Sequence, residues 1–75
     1  MYHTIEFGAE FTADLEISPR DRLERLLLHR GTRRQAQIRP YVIETEDSLV
    51  EVADLHFPDG TTTRMVPFEF FSFVG

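Results

Sequence analysis

A chain of 75 residues has room for one domain with a thin core, and the absence of cysteine excludes a disulfide framework and a thiolate metal site. The net charge of −5 is opposite in sign to that of most nucleic-acid-binding domains. No apolar run approaches the roughly 18 residues of a membrane helix, and the first residues lack the apolar stretch of a signal peptide. We therefore expect a single cytoplasmic domain over residues 1–75, with no membrane partner.

Residues 5–17 alternate strictly between apolar and polar or small side chains. Every odd position from Ile5 to Ile17 is apolar, and the even positions hold four acids together with Gly8 and Thr12. This pattern predicts a half-buried strand with an acidic outer face. A straight strand of this length would span about 43 Å, which is too long for so small a domain. We favour one long strand bent at Gly8, and the alternative is a hairpin with a loop at residues 8–10.

The next segment carries the signals of a helix. Ser18 can cap the N-terminus, Pro19 suits the first helical position, and Gly31 can end the helix. A leucine stripe with helical spacing would face the sheet, and it consists of Leu23, Leu26 and Leu27. We therefore predict a helix packed on the sheet, with Leu28 on a different face, where it either packs on the edge of the sheet or joins an interface.

Three strand-like runs follow the helix segment. They are Ile38–Thr45, Leu49–Phe57 and Thr62–Phe73, separated by turns at residues 46–48 and 58–60. Pro40 lacks the N–H that a central strand needs, so the first run is expected at an edge or next to a bulge.

The turn at residues 58–60 fixes a register for the last two strands. If Phe57 faces Thr61, Asp54 faces Arg64 and Val52 faces Val66. Opposite charges directly across a ladder support this pairing. The complete prediction is an α+β fold in the order β-α-β-β-β, an antiparallel sheet of four or five strands with one helix packed on a face.

Arginines cluster in one segment. Seven of the eight lie between residues 20 and 39, where Asp21 and Glu24 are the only acids, so this segment carries a formal charge of +5. Lysine is absent, which the GC-rich genome of a bacterium would explain. Guanidinium groups bind phosphates and carboxylates in a bidentate manner. The candidate anion-binding residues are Arg22, Arg25, Arg30, Arg33, Arg34 and Arg39.

A second interpretation of these arginines, which we favour, is pairing with the acidic strand faces of the same chain. No phenylalanine, tyrosine or tryptophan lies among them to stack on bases, so nucleic acid is disfavoured as a partner.

The C-terminal run is rich in phenylalanine. In a regular strand Phe68 and Phe70 would point to one face and Phe71 and Phe73 to the other, although a two-layer domain has one core to fill. Either a bulge near residues 70–71 changes the parity, or the second face is covered by a partner such as a second copy of the chain. The candidate interface residues are Leu28, Phe70, Phe71 and Phe73.

The sequence has no catalytic motif. His3, His29 and His56 are far apart without ligand spacing, and there is no nucleophile elbow or glycine-rich phosphate loop, so we expect no enzyme activity, metal or cofactor. The favoured function is a non-catalytic protein–protein interaction module that forms a homodimer through its C-terminal strand or binds another protein. The alternative is a module that binds anions or nucleic acid through residues 20–39.

The turn at residues 58–60 gives a first testable prediction. If Gly60 adopts a positive φ, a β-branched residue there is strained, whereas asparagine tolerates the left-handed region. Urea unfolding should therefore show that Gly60→Val lowers the free energy of unfolding by about 1–2 kcal/mol more than Gly60→Asn. Equal tolerance of both residues would contradict a positive φ at this turn.

Overall fold

A computed structural model describes residues 1–17 and 22–75 of the chain. Seven strands form one antiparallel sheet in the spatial order β3-β2-β6-β5-β4-β1-β7. The elements are β1 (His3–Phe7), β2 (Phe11–Ile17), β3 (Arg22–Leu28), β4 (Arg33–Glu44), β5 (Leu49–His56), β6 (Thr61–Pro67), a 3-10 helix (Phe68–Phe70) and β7 (Phe71–Phe73). The described residues are therefore nearly all-β, and the sheet curls into a half-barrel.

The predicted α+β fold with a packed helix is wrong. Arg22–Leu28 forms β3, which pairs with β2 over seven consecutive residues, from Ile17 opposite Arg22 to Phe11 opposite Leu28. In a strand Leu26 and Leu28 share one face, and Leu28 becomes buried in the core instead of lying off the packing face. Pairing and burial thus override a helical leucine spacing. The proposed helix start at residues 18–21 lies outside the described residues.

The chain bends at Gly8 as predicted, but residues 5–17 are not the one long strand that we favoured, because residues 8–10 separate β1 from β2. In the described residues β1 pairs with β4 and β7, whereas β2 pairs with β3 and β6, so the two strands do not form the alternative hairpin. β1 lies four strand positions away from β2 in the sheet, so the distance between these two strands would be about 19 Å if the sheet were flat. The chain from Phe7 to Phe11 spans at most about 14 Å, so this short connection requires the sheet to curl.

The concave face of the half-barrel holds the core. Its largest fully buried side chains are Phe7, Ile5 and Leu55, with Phe71 packed among them. The alternation of residues 5–17 supplies four of the eleven buried residues of this core in the described chain, which are Ile5, Phe7, Ala13 and Leu15. The strand prediction for this segment is therefore confirmed on its apolar face.

Both predicted turns are present. At the turn after β5, the Phe57 amide donates to the Thr61 carbonyl at 2.9 Å, and Gly60 has φ +90°, the left-handed conformation expected of it. At the turn after β4, the Thr45 amide donates to the Ser48 carbonyl at 2.8 Å. These two turns set β4, β5 and β6 as a meander.

Pro40 lies in a part of β4 that is locally an edge. β1 pairs with β4 only from Arg33 to Ala36, so Pro40 lies beyond this ladder. The Phe7 amide donates to the Thr32 carbonyl just before β4. Because backbone groups alternate in an antiparallel ladder, the even-numbered residues of β4 direct their N–H and C=O groups to the side where β1 lies. The missing N–H of Pro40 therefore faces the free side, as the prediction of an edge position requires.

The core gives a second prediction. Phe7 is fully buried, so Phe7→Ala should lower the free energy of unfolding by about 3–5 kcal/mol because it removes a large side chain and leaves a cavity. Leu49→Ala is the matched control, since Leu49 is 72% exposed and its loss should change stability by less than about 0.5 kcal/mol. Chemical denaturation followed by circular dichroism measures both. A similar small effect for the two variants would contradict the assignment of the core.

Candidate functional site

The acids of residues 5–17 lie beside arginine or histidine side chains across the convex face of the sheet. Two of the pairs follow directly from the ladder register, which places Glu6 opposite Arg33 and Asp14 opposite Arg25. The four pairs are Glu6–Arg33 at 2.9 Å, Glu10–His29 at 3.4 Å, Asp14–Arg25 at 3.5 Å and Glu16–Arg64. The positive segment and the acidic strand face thus lie against each other, as the intramolecular interpretation expected.

The anion-binding candidates do not converge on one surface. Arg25 and Arg33 are ion-paired on the convex face, Arg30 is exposed at the turn before β4, and Arg39 is exposed farther along β4. The side chain of Arg22 lies outside the described part of the chain. These positions span two strands and a turn, so no single bidentate site is formed by them.

Arg34 is the exception because it faces the concave side. Its guanidinium carbon lies 4.5 Å from the centre of the Phe57 ring, and its Nη1 is buried without a hydrogen-bond partner in the described residues. Stacking on an aromatic face is a common way to hold a guanidinium group. Arg34 therefore has a packing role beside its charge.

The phenylalanines of the C-terminus all reach the same side of the sheet. The 3-10 helix at residues 68–70 changes the parity of the chain, so the Phe70 ring packs on Phe11 with centroids 5.0 Å apart and Phe68 packs on Phe71 at 5.1 Å. The 3-10 helix thus provides the change of parity that the sequence analysis gives as one of two alternatives near residues 70–71. The strand therefore does not present two phenylalanine faces.

Of the four candidate interface residues, the structure leaves Phe73 most open. Leu28 and Phe71 are buried in the core, and Phe70 is half-buried against Phe11. Phe73 is 56% exposed. It borders an open groove of about 620 Å³, here named the β7 groove, which is lined by His3, Thr4, Ile38, Pro40, Phe68, Phe73, Val74 and Gly75.

The backbone of β7 has hydrogen-bonding groups directed away from the sheet. Val74 donates to the Thr4 carbonyl and Gly8 donates to the Phe70 carbonyl, so the even-numbered residues of this segment bond to β1. By alternation Phe71 and Phe73 direct their backbone groups to the other side, where β7 ends the order of described strands. The Phe71 amide donates to the Phe68 carbonyl. The groups that remain on the outer side of β7 are the Phe71 carbonyl and the amide and carbonyl of Phe73.

A buried carboxylate lies on the opposite face of the sheet from the core. Asp54 is only 3% exposed, and it accepts hydrogen bonds from the Tyr41 hydroxyl at 2.7 Å, the Met65 amide at 3.1 Å and Arg64 Nη1 at 3.0 Å. Arg64 also binds Glu16 on β2. The charge of Asp54 is therefore both paired and fully hydrogen-bonded, as a buried carboxylate requires.

Asp54 sits opposite a β-bulge in β6. The predicted register holds near the turn, where His56 faces Thr62 and Leu55 faces Thr63, but Ala53 then faces Val66. Arg64 and Met65 both oppose Asp54, so the predicted pairing of Val52 with Val66 is wrong by one residue. The predicted Asp54–Arg64 pair is confirmed, although it is not the exposed pair that the sequence suggested.

The bulge forces an unusual backbone conformation on Met65. Its φ is +58°, a left-handed value that costs a non-glycine residue about 1–2 kcal/mol. The hydrogen bond from the Met65 amide to Asp54 is made possible by this conformation. A lone acid inside the apolar run Val52–Leu55 was the sequence signal that could have revealed this site.

These interactions also set the pKa of Asp54. Burial raises the pKa, but the hydrogen bonds from Tyr41 and Met65 and the charge of Arg64 outweigh it, so the pKa lies below the ordinary value of 3.8. Burial, together with the hydrogen bond to Asp54, raises the pKa of Tyr41. Asp54 therefore stays ionised and Tyr41 stays a donor at neutral pH.

A cleft opens between β2 and β6 beyond the bulge. The β2–β6 ladder joins residues 15–17 to residues 61–63, and no further pair follows in the described chain. The space above it measures about 370 Å³ and is here named the β2–β6 cleft. Its lining residues are Phe11, Thr12, Ala13, Asp14, Glu16, Thr63, Arg64, Met65, Val66, Pro67 and Phe70.

The histidines have separate local roles. His29 lies beside Glu10, His3 packs edge-on against Phe73, and His56 Nδ1 lies 2.9 Å from the Thr62 hydroxyl, the residue it was predicted to face. Among the described residues no three His, Cys, Asp or Glu side chains are grouped to hold a metal ion. The same part of the chain contains no helix long and apolar enough to cross a membrane.

No protein-family model, curated protein or solved structure matches this chain. The candidate sites are therefore defined by the geometry of the chain itself: the β7 groove with its strand edge, the buried Asp54 and the β2–β6 cleft.

Asp54 gives a pH-dependent prediction. Because its pKa is lower in the folded than in the unfolded protein, ionised Asp54 stabilises the fold above the ordinary pKa of 3.8, and this contribution is lost as the pH falls through the folded pKa. At pH 7, Asp54→Asn should lower the free energy of unfolding by about 1–3 kcal/mol.

Urea unfolding of both proteins from pH 7 to pH 2 measures this contribution. The difference between wild type and variant should shrink below about pH 4. Asp59, whose pKa is also lowered, by its hydrogen bonds from Thr61, is present in both proteins and cancels in the difference. A difference that stays constant over this range would contradict a lowered Asp54 pKa.

Proposed function

We propose that this protein is a non-catalytic, cytoplasmic interaction module that self-associates through β7 and the β7 groove. The observation that carries the proposal is the coincidence of a free strand edge with an exposed phenylalanine over an apolar groove. Strand edges with free backbone groups readily pair with another chain. In a homodimer the simplest arrangement is the same edge of both copies meeting at a two-fold axis.

The backbone of β7 supports antiparallel pairing centred on Phe73. The Phe73 amide and carbonyl both face away from β1, so the amide of each copy can donate to the carbonyl of the other. Two reciprocal hydrogen bonds would then join the two seven-stranded sheets into one continuous sheet.

Side chains support the same contact. In such a pair the two Phe73 rings lie directly across from each other on one face, where aromatic cross-strand pairs are stabilising. Phe73 is 56% exposed in the single chain, and the β7 groove beside it is bordered by Ile38, Pro40 and Phe68. Covering this surface removes apolar area from water, which is the main driving force for association.

The alternative of an anion-binding module has less support. Arg25 and Arg33 are already paired with Asp14 and Glu6, and Arg34 stacks on Phe57. Binding a phosphate through these residues would break existing pairs, whereas dimerisation through β7 breaks none of them. Self-association is therefore the function that we prefer.

Light scattering on a sizing column tests the proposal. The wild-type protein should have about twice the chain mass of 8.8 kDa. Phe73→Asp should give a monomer, because it buries a charge in the middle of the apolar contact. Leu49→Asp introduces the same charge at an exposed position at the start of β5 and should remain dimeric.

Two results would overturn self-association through β7. One is a wild-type protein that stays monomeric up to about 1 mM, because its self-association would then be weaker than that of a standard protein–protein interface. The other is a dimer that survives Phe73→Asp while the variant keeps its fold by circular dichroism.

A further inference from the structure

We infer that the β2–β6 cleft is a second docking site, which takes an extended peptide with alternating apolar and basic side chains. It is distinct from the β7 contact, because it lies between two interior strands rather than at the end of the sheet. Binding would add a short strand along β2 beyond the point where β2 and β6 stop pairing, a recognition mode in which backbone hydrogen bonds supply affinity.

The backbone of β2 points into this cleft. At the turn after β5, Phe57 bonds to Thr61, so odd-numbered residues at the start of β6 bond to β5 and even-numbered ones bond to β2. Glu16 then pairs with Thr62, and by the same alternation Asp14 and Thr12 direct their N–H groups toward β6.

The β2–β6 ladder ends before it reaches those N–H groups. Arg64 and Met65 bend toward Asp54, and the β2–β6 ladder ends at Leu15 and Thr63. An N–H group without a partner in the ladder can donate to an incoming carbonyl, so a cleft that presents such groups is suited to a peptide backbone.

The inner side of the cleft is apolar. Phe11 and Phe70 stack at its base with centroids 5.0 Å apart, and Ala13 and Val66 are buried behind them. In an extended peptide every second side chain would point to this base. Small or medium apolar residues such as valine fit that position.

The rim of the cleft is acidic. Asp14, Glu16 and Arg64 line the cleft, which places two carboxylates against one guanidinium, and Arg64 is also bonded to the buried Asp54. Asp14 is paired only with Arg25, and both side chains are more than half exposed, so this pair contributes little and is readily exchanged. The outward side chains of a bound peptide would meet these carboxylates, which favours arginine or lysine at alternate positions.

The experiment is an NMR titration of ¹⁵N-labelled protein with an acetylated and amidated hexapeptide of alternating arginine and valine. The amide signals of residues 12–14 and 64–66 should shift on binding, and those of β7 should not. A hexapeptide of alternating glutamate and valine should not bind. A version of the arginine peptide with N-methylated valines should also fail, because it cannot extend the ladder.

Charge reversal at the rim gives the matched variants. Asp14→Lys should weaken binding by about 5- to 10-fold, since it replaces an attraction by a repulsion at an exposed site. Asp47→Lys makes the same charge change in the exposed turn after β4 and should alter affinity by less than about twofold.

Three outcomes would overturn the inference. They are the absence of any shift up to about 1 mM arginine peptide, shifts confined to β7 and its groove, and equal weakening by Asp14→Lys and Asp47→Lys. The second outcome would assign peptide binding to the edge proposed for self-association. The residues whose signals shift test peptide binding at the cleft, and the mass of the free protein tests dimerisation, so the two proposals can fail independently.

Discussion

The hydrogen bonds of the buried Asp54 carboxylate determine how this sheet is shaped. Three donors converge on it, from Tyr41, Arg64 and the Met65 amide, and the last of these requires the left-handed conformation of Met65. The conformational cost of about 1–2 kcal/mol is offset by a charge-assisted bond that a buried carboxylate needs in any case. The bulge that results shifts the register of β6 by one residue, ends its ladder with β2 and opens the β2–β6 cleft.

The two faces of the half-barrel explain why interaction is expected at edges rather than on faces. The concave face is filled by the core, and the convex face carries carboxylates that are paired with cationic residues of the same chain. Such exposed pairs contribute little stability, but they neutralise part of the negative charge of this face. Among the described strands β3 and β7 end the sheet, and the β2–β6 ladder stops beside the bulge. At β7 Phe73 is exposed, and at the cleft Phe11 and Phe70 are half-buried. Strand addition is the form of binding that these two features share.

Local sequence patterns predicted most of the strands and turns, but they did not predict features that depend on contacts between distant residues. The alternation of residues 5–17, the positive φ of Gly60 and the pairing of Asp54 with Arg64 follow from short-range rules that the structure obeys. The segment from Arg22 to Leu28 satisfies both a helical stripe and a strand, and only the presence of β2 as a partner decides between them. The burial of Asp54 and the parity switch at the 3-10 helix likewise depend on residues distant in sequence.

Amide hydrogen exchange along β2 is the most direct test of an unpaired strand edge beside the Asp54 bulge. The N–H groups of Ala13 and Leu15 face β3, and that of Glu16 faces the paired part of β6. We predict that Thr12 and Asp14 exchange at least about tenfold faster than these three residues, because their donors open into the cleft. Equal protection at all five positions would mean that β2 and β6 remain paired past the bulge, and it would contradict the cleft as a docking site.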